Sequence, residues 1–194
     1  MSLGGQSPHG AGQKPRRFIA SARTNLPDWP TLSWDATPEA VDVAGTGFVL
    51  VGLGPAAAPV IGAWRQGVGD RPCVLEVVAT DLADTALCDR LAMALANTVV
   101  GWRLMLAGPA AEIMGLAAQA RRAGMLDVEI SLHPLDDSRV RVQCVHCKTL
   151  FRAMAGPGDI VICPGCGQNL LVHQHFSRRL GALVGFSADA EGVQ

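Results

Sequence analysis

Four of the six cysteines stand as two C-x2-C pairs, Cys144 with Cys147 and Cys163 with Cys166, and fifteen residues separate the pairs. No other feature limits the fold as much. Each pair can form a tight knuckle that offers two thiolates, and the segment between them then has to turn back as a hairpin that brings both knuckles onto one metal ion. Gly165 and Gly167 within CPGCG supply the sharp backbone that such a knuckle requires. Disulfides and buried free cysteines are the alternatives, but a reducing cytoplasm disfavours the first and this spacing the second. Four thiolates favour zinc in a closed shell with no position left for water, which makes the site structural. Iron in a rubredoxin-like centre is the alternative, and it would permit one-electron transfer.

His146 lies inside the first knuckle, and His173 and His175 follow the second in LVHQHF. Four cysteines already complete a ligand set, so these histidines are not needed as donors. Alternation places His173 and His175 on one face of a strand, where a partner surface or a cofactor could meet them. Cys73 and Cys88 fall in apolar stretches and read as core packing.

Upstream of the cysteines the pattern is different. FVLVGL, CVLEVVAT at 73 to 80, WRLMLA at 102 to 107 and LDVEISL at 126 to 132 read as strands. They alternate with helix candidates in AAAPVIGAWRQ, from about Leu82 to Asn97, and from Ala110 to Ala123. Such alternation predicts an α/β layered domain with a mainly parallel sheet. Pro109 marks the first turn of the third helix, and Gly124, after Arg121 and Arg122, marks its end. After His133-Pro134 the chain changes to short β-like pieces, with GPG at 156 to 158 as a turn. The expected organisation is a tail at 1–17, an extended surface segment at 18–44, an α/β domain at 45–136, a four-cysteine metal-ribbon domain at 137–186, and a tail at 187–194.

The N-terminal 17 residues are rich in Gly, Ser, Gln and Pro, without an acidic residue, which is the composition of a disordered tail. Trp29 and Trp34, set among Pro27, Pro30 and Pro38, suggest an extended segment held on a surface by two indoles. No apolar signal region precedes them and the longest uncharged run, Val43 to Trp64, is broken by prolines and glycines, so the expectation is a soluble cytoplasmic chain. The charges nearly cancel, 16 basic against 17 acidic. Residues 139 to 180 are the exception, with six basic residues against Asp159. Four thiolates on a divalent ion would leave this module at about +3, a face suited to something acidic. Its basic residues are scattered without interleaved aromatics, which argues against nucleic acid.

Gly52-Leu53-Gly54-Pro55-Ala56-Ala57 follows a strand and opens a helix, as in a weak dinucleotide-binding turn, with Glu76 near the place of a ribose-binding acid. Gly52, Gly54 and Gly108 are the weak candidates for contact with a cofactor. More specifically, FVLVGLGPAAAPVIGAW together with RLMLAGPAAEIMGLAAQARRAGMLDVEISLH resembles the nicotinamide-binding domain of ferredoxin reductases. The turn that would carry the nicotinamide-facing cysteine reads Ala107-Gly108-Pro109, and no flavin-domain motif precedes residue 48. A self-contained flavin reductase is therefore excluded, and the resemblance implies a reduced ferredoxin-reductase-like sheet that serves as a docking platform.

VQCVHCKTLFR and VICPGCGQNLLVHQHFSRRLGALVGF look like the C-terminal domain of the dimethylamine monooxygenase small subunit, the DmmA-like family. That resemblance implies an accessory or electron-transfer subunit of a multi-component NAD(P)H-dependent monooxygenase, which converts dimethylamine to methylamine and formaldehyde. Haem, flavin and iron–sulfur carriers would lie on partner subunits, and no residue of this chain is a candidate catalyst. The alternative is a zinc-ribbon adaptor or nucleic-acid-binding protein. From Leu170 to Phe186, the residues His173, His175, Phe176, Arg178 and Arg179 combine anchors and charges as a subunit interface does. Phe176, Leu180, Leu183 and Val184 also recur at helical spacing, the pattern of a helix packed on its own domain.

Overall fold

The computed structural model describes residues 40–79, 83–136 and 138–191. The expected tail at 1–17 and the segment holding Trp29 and Trp34 lie outside the described residues. From Gly47 onward strands and helices alternate: β1 (Gly47–Leu53), α1 (Ala58–Val68), β2 (Cys73–Ala79), α2 (Thr85–Leu95), β3 (Trp102–Pro109), α3 (Ala110–Arg122) and β4 (Ile130–Asp136). The four strands form a fully parallel sheet in the order β2-β1-β3-β4.

β1 lies inside the sheet and is buried along its whole length, which is why GFVLVGL is an unbroken apolar run. Its side chains divide between two cores. Phe48 and Leu50 join Val60, Ile61 and Trp64 of α1, whereas Val49, Val51 and Leu53 join Leu91 of α2 and Ile113 and Leu116 of α3. Right-handed crossovers impose that division, because the chain moves from β1 to one edge and then returns past β1 to build β3 and β4 on the other side.

Two boundaries differ from the sequence reading, each for a local reason. α2 begins at Thr85 because the Asp84 carboxylate accepts the Leu87 backbone N–H at 2.8 Å and caps the helix there. Residues 127–129 form a 3-10 turn in place of the expected strand start. The buried Glu129 carboxylate accepts the Leu126 N–H at 3.0 Å and the Gly101 N–H at 2.8 Å, so the chain bends before β4 begins.

A second sheet follows, made of β5 (Val140–Cys144), β6 (Leu150–Ala153), β7 (Ile160–Ile162), β8 (Asn169–Ser177) and β9 (Ala182–Ser187) in the order β6-β5-β9-β8-β7. β5 and β9 run parallel and the other pairs antiparallel. The helical alternative for Phe176 to Val184 is overturned. This stretch is a hairpin in which Phe176 faces Leu183 across the ladder, and Gly181 at φ 61 turns the chain.

α3 belongs to both layers. Its Ile113, Leu116 and Ala117 face the parallel sheet, while Ala110 and Met114 pack against Val140, Val142, Val172, Phe176 and Leu183. The approach is close: a Cβ on Gly181 would stand 2.2 Å from the Met114 carbonyl oxygen, so only glycine fits there. Glu112, 2% exposed in the first turn of α3, accepts both the Ala83 backbone N–H at 3.1 Å and the guanidinium of Arg152 on β6. This ion pair joins the second sheet to the start of α3.

The pair is asymmetric, because Arg152 reaches water and Glu112 does not. Arg152→Met strands a buried carboxylate and is expected to cost about 3 kcal/mol, the low end of the range for broken buried pairs. Glu112→Gln keeps an acceptor for Ala83 and leaves a solvated arginine, for about 1 kcal/mol. Urea denaturation of both variants compares the costs, and equal losses would refute this account of the junction.

Candidate metal centre

The two knuckles have the same backbone. In the first, Lys148 N–H donates to the Cys144 carbonyl at 3.0 Å and Cys144 N–H to the Thr149 carbonyl at 3.0 Å. In the second, Gly167 N–H donates to the Cys163 carbonyl at 2.9 Å and Cys163 N–H to the Gln168 carbonyl at 2.9 Å. Each knuckle therefore closes a hairpin, β5 to β6 and β7 to β8. The residue after the second cysteine adopts a left-handed conformation in both, Gly167 at φ 73 and Lys148 at φ 64. Lys148 is the one non-glycine residue with positive φ among the described residues, and its Nζ donates to the Val145 carbonyl at 2.6 Å. Gly165 serves a different need from Gly167. A Cβ there would stand 2.2 Å from Thr149 Oγ1 and 3.2 Å from Cys147 Sγ, so its lack of a side chain lets the knuckles meet.

All four sulfurs lie within 4.8 Å of one another. Cys144 and Cys166 are 3.8 Å apart and Cys147 and Cys163 3.5 Å apart. A tetrahedral ion with metal–sulfur bonds of about 2.3 Å requires sulfurs about 3.8 Å apart, so these residues fit one such ion. Cys144 and Cys163 are fully buried against Leu170, with Phe151 and Val161 packed beside them, while Cys147 and Cys166 are half-buried. The Thr149 hydroxyl and backbone N–H favour the Cys147 thiolate and bring its pKa down to about 6. The Gln168 N–H acts the same way on Cys166, but burial and the neighbouring sulfurs outweigh it and push that thiol up to about 12. Sulfurs this close titrate as a set, and a divalent cation is what allows all four to be ionised together.

The remaining sequence candidates fall elsewhere. His146 is exposed on the first knuckle and is not grouped with the sulfurs. His173 and His175 are exposed on β8, where the His175 N–H donates to His173 Nδ1 at 3.1 Å and His173 stacks edge-on against Phe186. Arg178 and Arg179 are exposed in the β8–β9 turn, whereas Phe176 is buried in the core under that turn and offers no surface. Burial raises the pKa of both Cys73 and Cys88, and both pack at the edges of the two α/β cores. Glu76 forms an ion pair with Arg65 of α1 at 3.3 Å. Gly54 follows the end of β1, and Gly108 lies near the end of β3, where a Cβ on it would stand 2.7 Å from that of Leu53, while Gly52 leaves room for Ile61. Sequence reading missed Glu112, because a carboxylate early in a helix looks like an ordinary dipole partner until Arg152 is seen to reach it.

Replacing Cys144 or Cys163 by Ser is expected to abolish stoichiometric metal binding and open residues 138–191 to protease, while the parallel sheet stays folded. The energy at stake is about 10–16 kcal/mol if the ion is zinc. Metal analysis with limited proteolysis and mass spectrometry checks this, and retained metal in either variant refutes the assignment. Lys148→Gly relieves the left-handed residue, for an expected gain of about 0.5–1 kcal/mol in thermal or chemical denaturation.

Residues 141–186 match the family model described as dimethylamine monooxygenase subunit DmmA-like, C-terminal domain. The heme-dependent oxidative N-demethylase delta subunit of Ectopseudomonas mendocina (strain ymp) is 42% identical over 108 residues, which cover 54% of this chain and 61% of that relative. The cysteine knuckles, the hairpin that follows them and the contact with α3 all fall within or against the matched segment. The resemblance seen in the sequence is thus borne out over residues 141–186, which are similar to the C-terminal domain of DmmA-like subunits of dimethylamine monooxygenase.

Proposed function

We propose that this chain is an accessory subunit of a multi-component oxidative N-demethylase acting on dimethylamine or a closely related secondary amine. The observation that carries the reading is the four-sulfur centre inside the DmmA-like domain, supported by the likeness to a delta subunit of a heme-dependent oxidative N-demethylase. The centre holds zinc, and its role is to fold the ribbon. Four thiolates fill a tetrahedral shell, so neither water nor substrate reaches the ion. Haem and the flavin or iron–sulfur carriers that bring NAD(P)H electrons belong to partner subunits. The α/β domain acts as a reduced nicotinamide-domain-like platform, and His173, His175 and Arg179 remain available for contact with partners.

Against the nucleic-acid alternative, two of the six basic residues of this module are paired within the chain. Arg152 pairs with Glu112, and Arg178 pairs with Asp127 at 3.0 Å. What remains is too sparse for a phosphate-tracking face.

Two measurements on the purified full-length chain test the reading. Metal analysis is expected to give one zinc per chain with no visible absorption, and a coloured ferric tetrathiolate would instead make the chain an electron carrier. Co-expression with the other subunits of the N-demethylase is expected to yield a stable complex that contains haem and oxidises dimethylamine. A chain that neither assembles with them nor changes their activity refutes the proposal.

A further inference from the structure

We propose that three loops at the N-terminal end of the parallel sheet form a docking surface for another subunit, one that presents an apolar patch edged by carboxylates. The inference rests on the subunit reading given above and locates the contact on the α/β domain, away from the metal. The loops are those entering β1, β3 and β4. They carry Val43 at 87% exposure, Val99 at 70%, Val100 at 82%, Leu126 at 53% and Val128 at 83%. Singly exposed apolar residues need no explanation, but five on converging loops do.

The convergence is fixed by hydrogen bonds. Thr46 N–H donates to the Gly101 carbonyl at 2.9 Å, which ties the first loop to the second. Gly101 N–H and Leu126 N–H share the buried Glu129 carboxylate at 2.8 and 3.0 Å, which ties the second loop to the third. Arg103 on β3 adds a further clamp, reaching Asp42 at 2.7 Å and the Gly101 carbonyl at 3.0 Å. The apolar side chains are thus held in place before any partner arrives, which lowers the entropic cost of association. Val74, Val78 and Met93 are also exposed, but they stand on β2 and α2 without such ties.

Charge beside the patch indicates the chemistry of the partner. The β8–β9 turn comes down beside the third loop, where Arg178 meets Asp127 and the Arg179 carbonyl accepts from Arg122 at 3.1 Å. Asp127 is shared between Arg121 and Arg178, while Arg122 and Arg179 are exposed and have no ion-pair partner among the described residues. An apolar centre with a cationic edge fits a surface of apolar anchors beside carboxylates.

The test uses the full-length chain co-expressed with the remaining subunits of the N-demethylase, and compares wild type with a Val100→Asp, Val128→Asp double variant. An Ile160→Asp, Ile162→Asp double variant on exposed strand β7 serves as the control. The expected result is that the loop variant keeps its metal and melting temperature yet binds its partners about tenfold or more weakly, while the β7 variant assembles as wild type does. A loop variant that assembles normally overturns the surface and leaves the subunit reading intact. A lowered melting temperature of the isolated loop variant would mean that residues 1–39 already cover the patch, and a wild-type homodimer dissolved by the variant would mean that a second copy does. Either result overturns the proposal. If wild type joins no other subunit, the subunit reading fails and the surface falls with it.

Discussion

Four sulfurs within 4.8 Å of one another are a repulsive arrangement unless a cation or retained protons neutralise them. The ribbon depends on this constraint because its own core is small: Cys144 and Cys163 with Leu170 at one end, and a layer around Val142, Val172 and Leu183 at the other. Both knuckles are the closing turns of hairpins, so any movement of the sulfurs shears β5 against β6 or β7 against β8. An ion held there would therefore set the register of the second sheet. Its coordination geometry would be converted into strand pairing, and the pairing places Val140, Val142, Phe176 and Leu183 on the surface that meets α3.

α3 then transmits that order to the rest of the chain. A helix with a single apolar stripe can serve one layer, but α3 buries nine of its thirteen residues and serves two. Small residues make this possible. Ala110, Ala111, Ala117, Ala118 and Ala120 let both sheets approach, and Gly115 leaves room for Arg141, whose guanidinium would collide with a Cβ there. The same closeness explains why a buried carboxylate is tolerated at Glu112. Its acceptors are filled from both sides, by Ala83 of the α/β domain and Arg152 of the ribbon. Loss of the metal would therefore be felt at the start of α3 as well as at the knuckles.

How much of this was legible in the sequence differed with the type of signal. Strand and helix alternation was plain because β1 and β3 are apolar runs and the helices have ordinary lengths. The clustering of Cys144, Cys147, Cys163 and Cys166 was legible because the spacing of thiols is itself a geometric requirement for bringing them together. Strand order was not, since no local pattern states that β2 lies outside β1. The segment from Phe176 to Val184 carried a helical spacing that pairing with β5 and β8 overrode. Phe176 looked like a surface anchor for the same reason: a single aromatic beside charges does not reveal which side of a bulged strand it occupies. Glu129 and Glu112 were invisible because their partners lie 28 and 40 residues away in the chain.

The connections of the parallel sheet reverse direction between β1 and β3, and the crevice at such a point is where sheets of this class hold their ligands. In this chain much of what would attract an anion there is already committed. Gly54 N–H donates to the Ala79 carbonyl at 3.0 Å, and Pro55 and Pro59 remove two further donors from the turn and from α1. At the start of α3 stands the Glu112 carboxylate, where a helix would otherwise favour a phosphate, and Arg152 of the ribbon neutralises it. The ribbon is thus joined to the sheet next to the place where a nucleotide-binding sheet of this class would expose its helix. That arrangement favours a domain whose free surface lies at the opposite end of the strands, where the loops entering β1, β3 and β4 leave their valines in water.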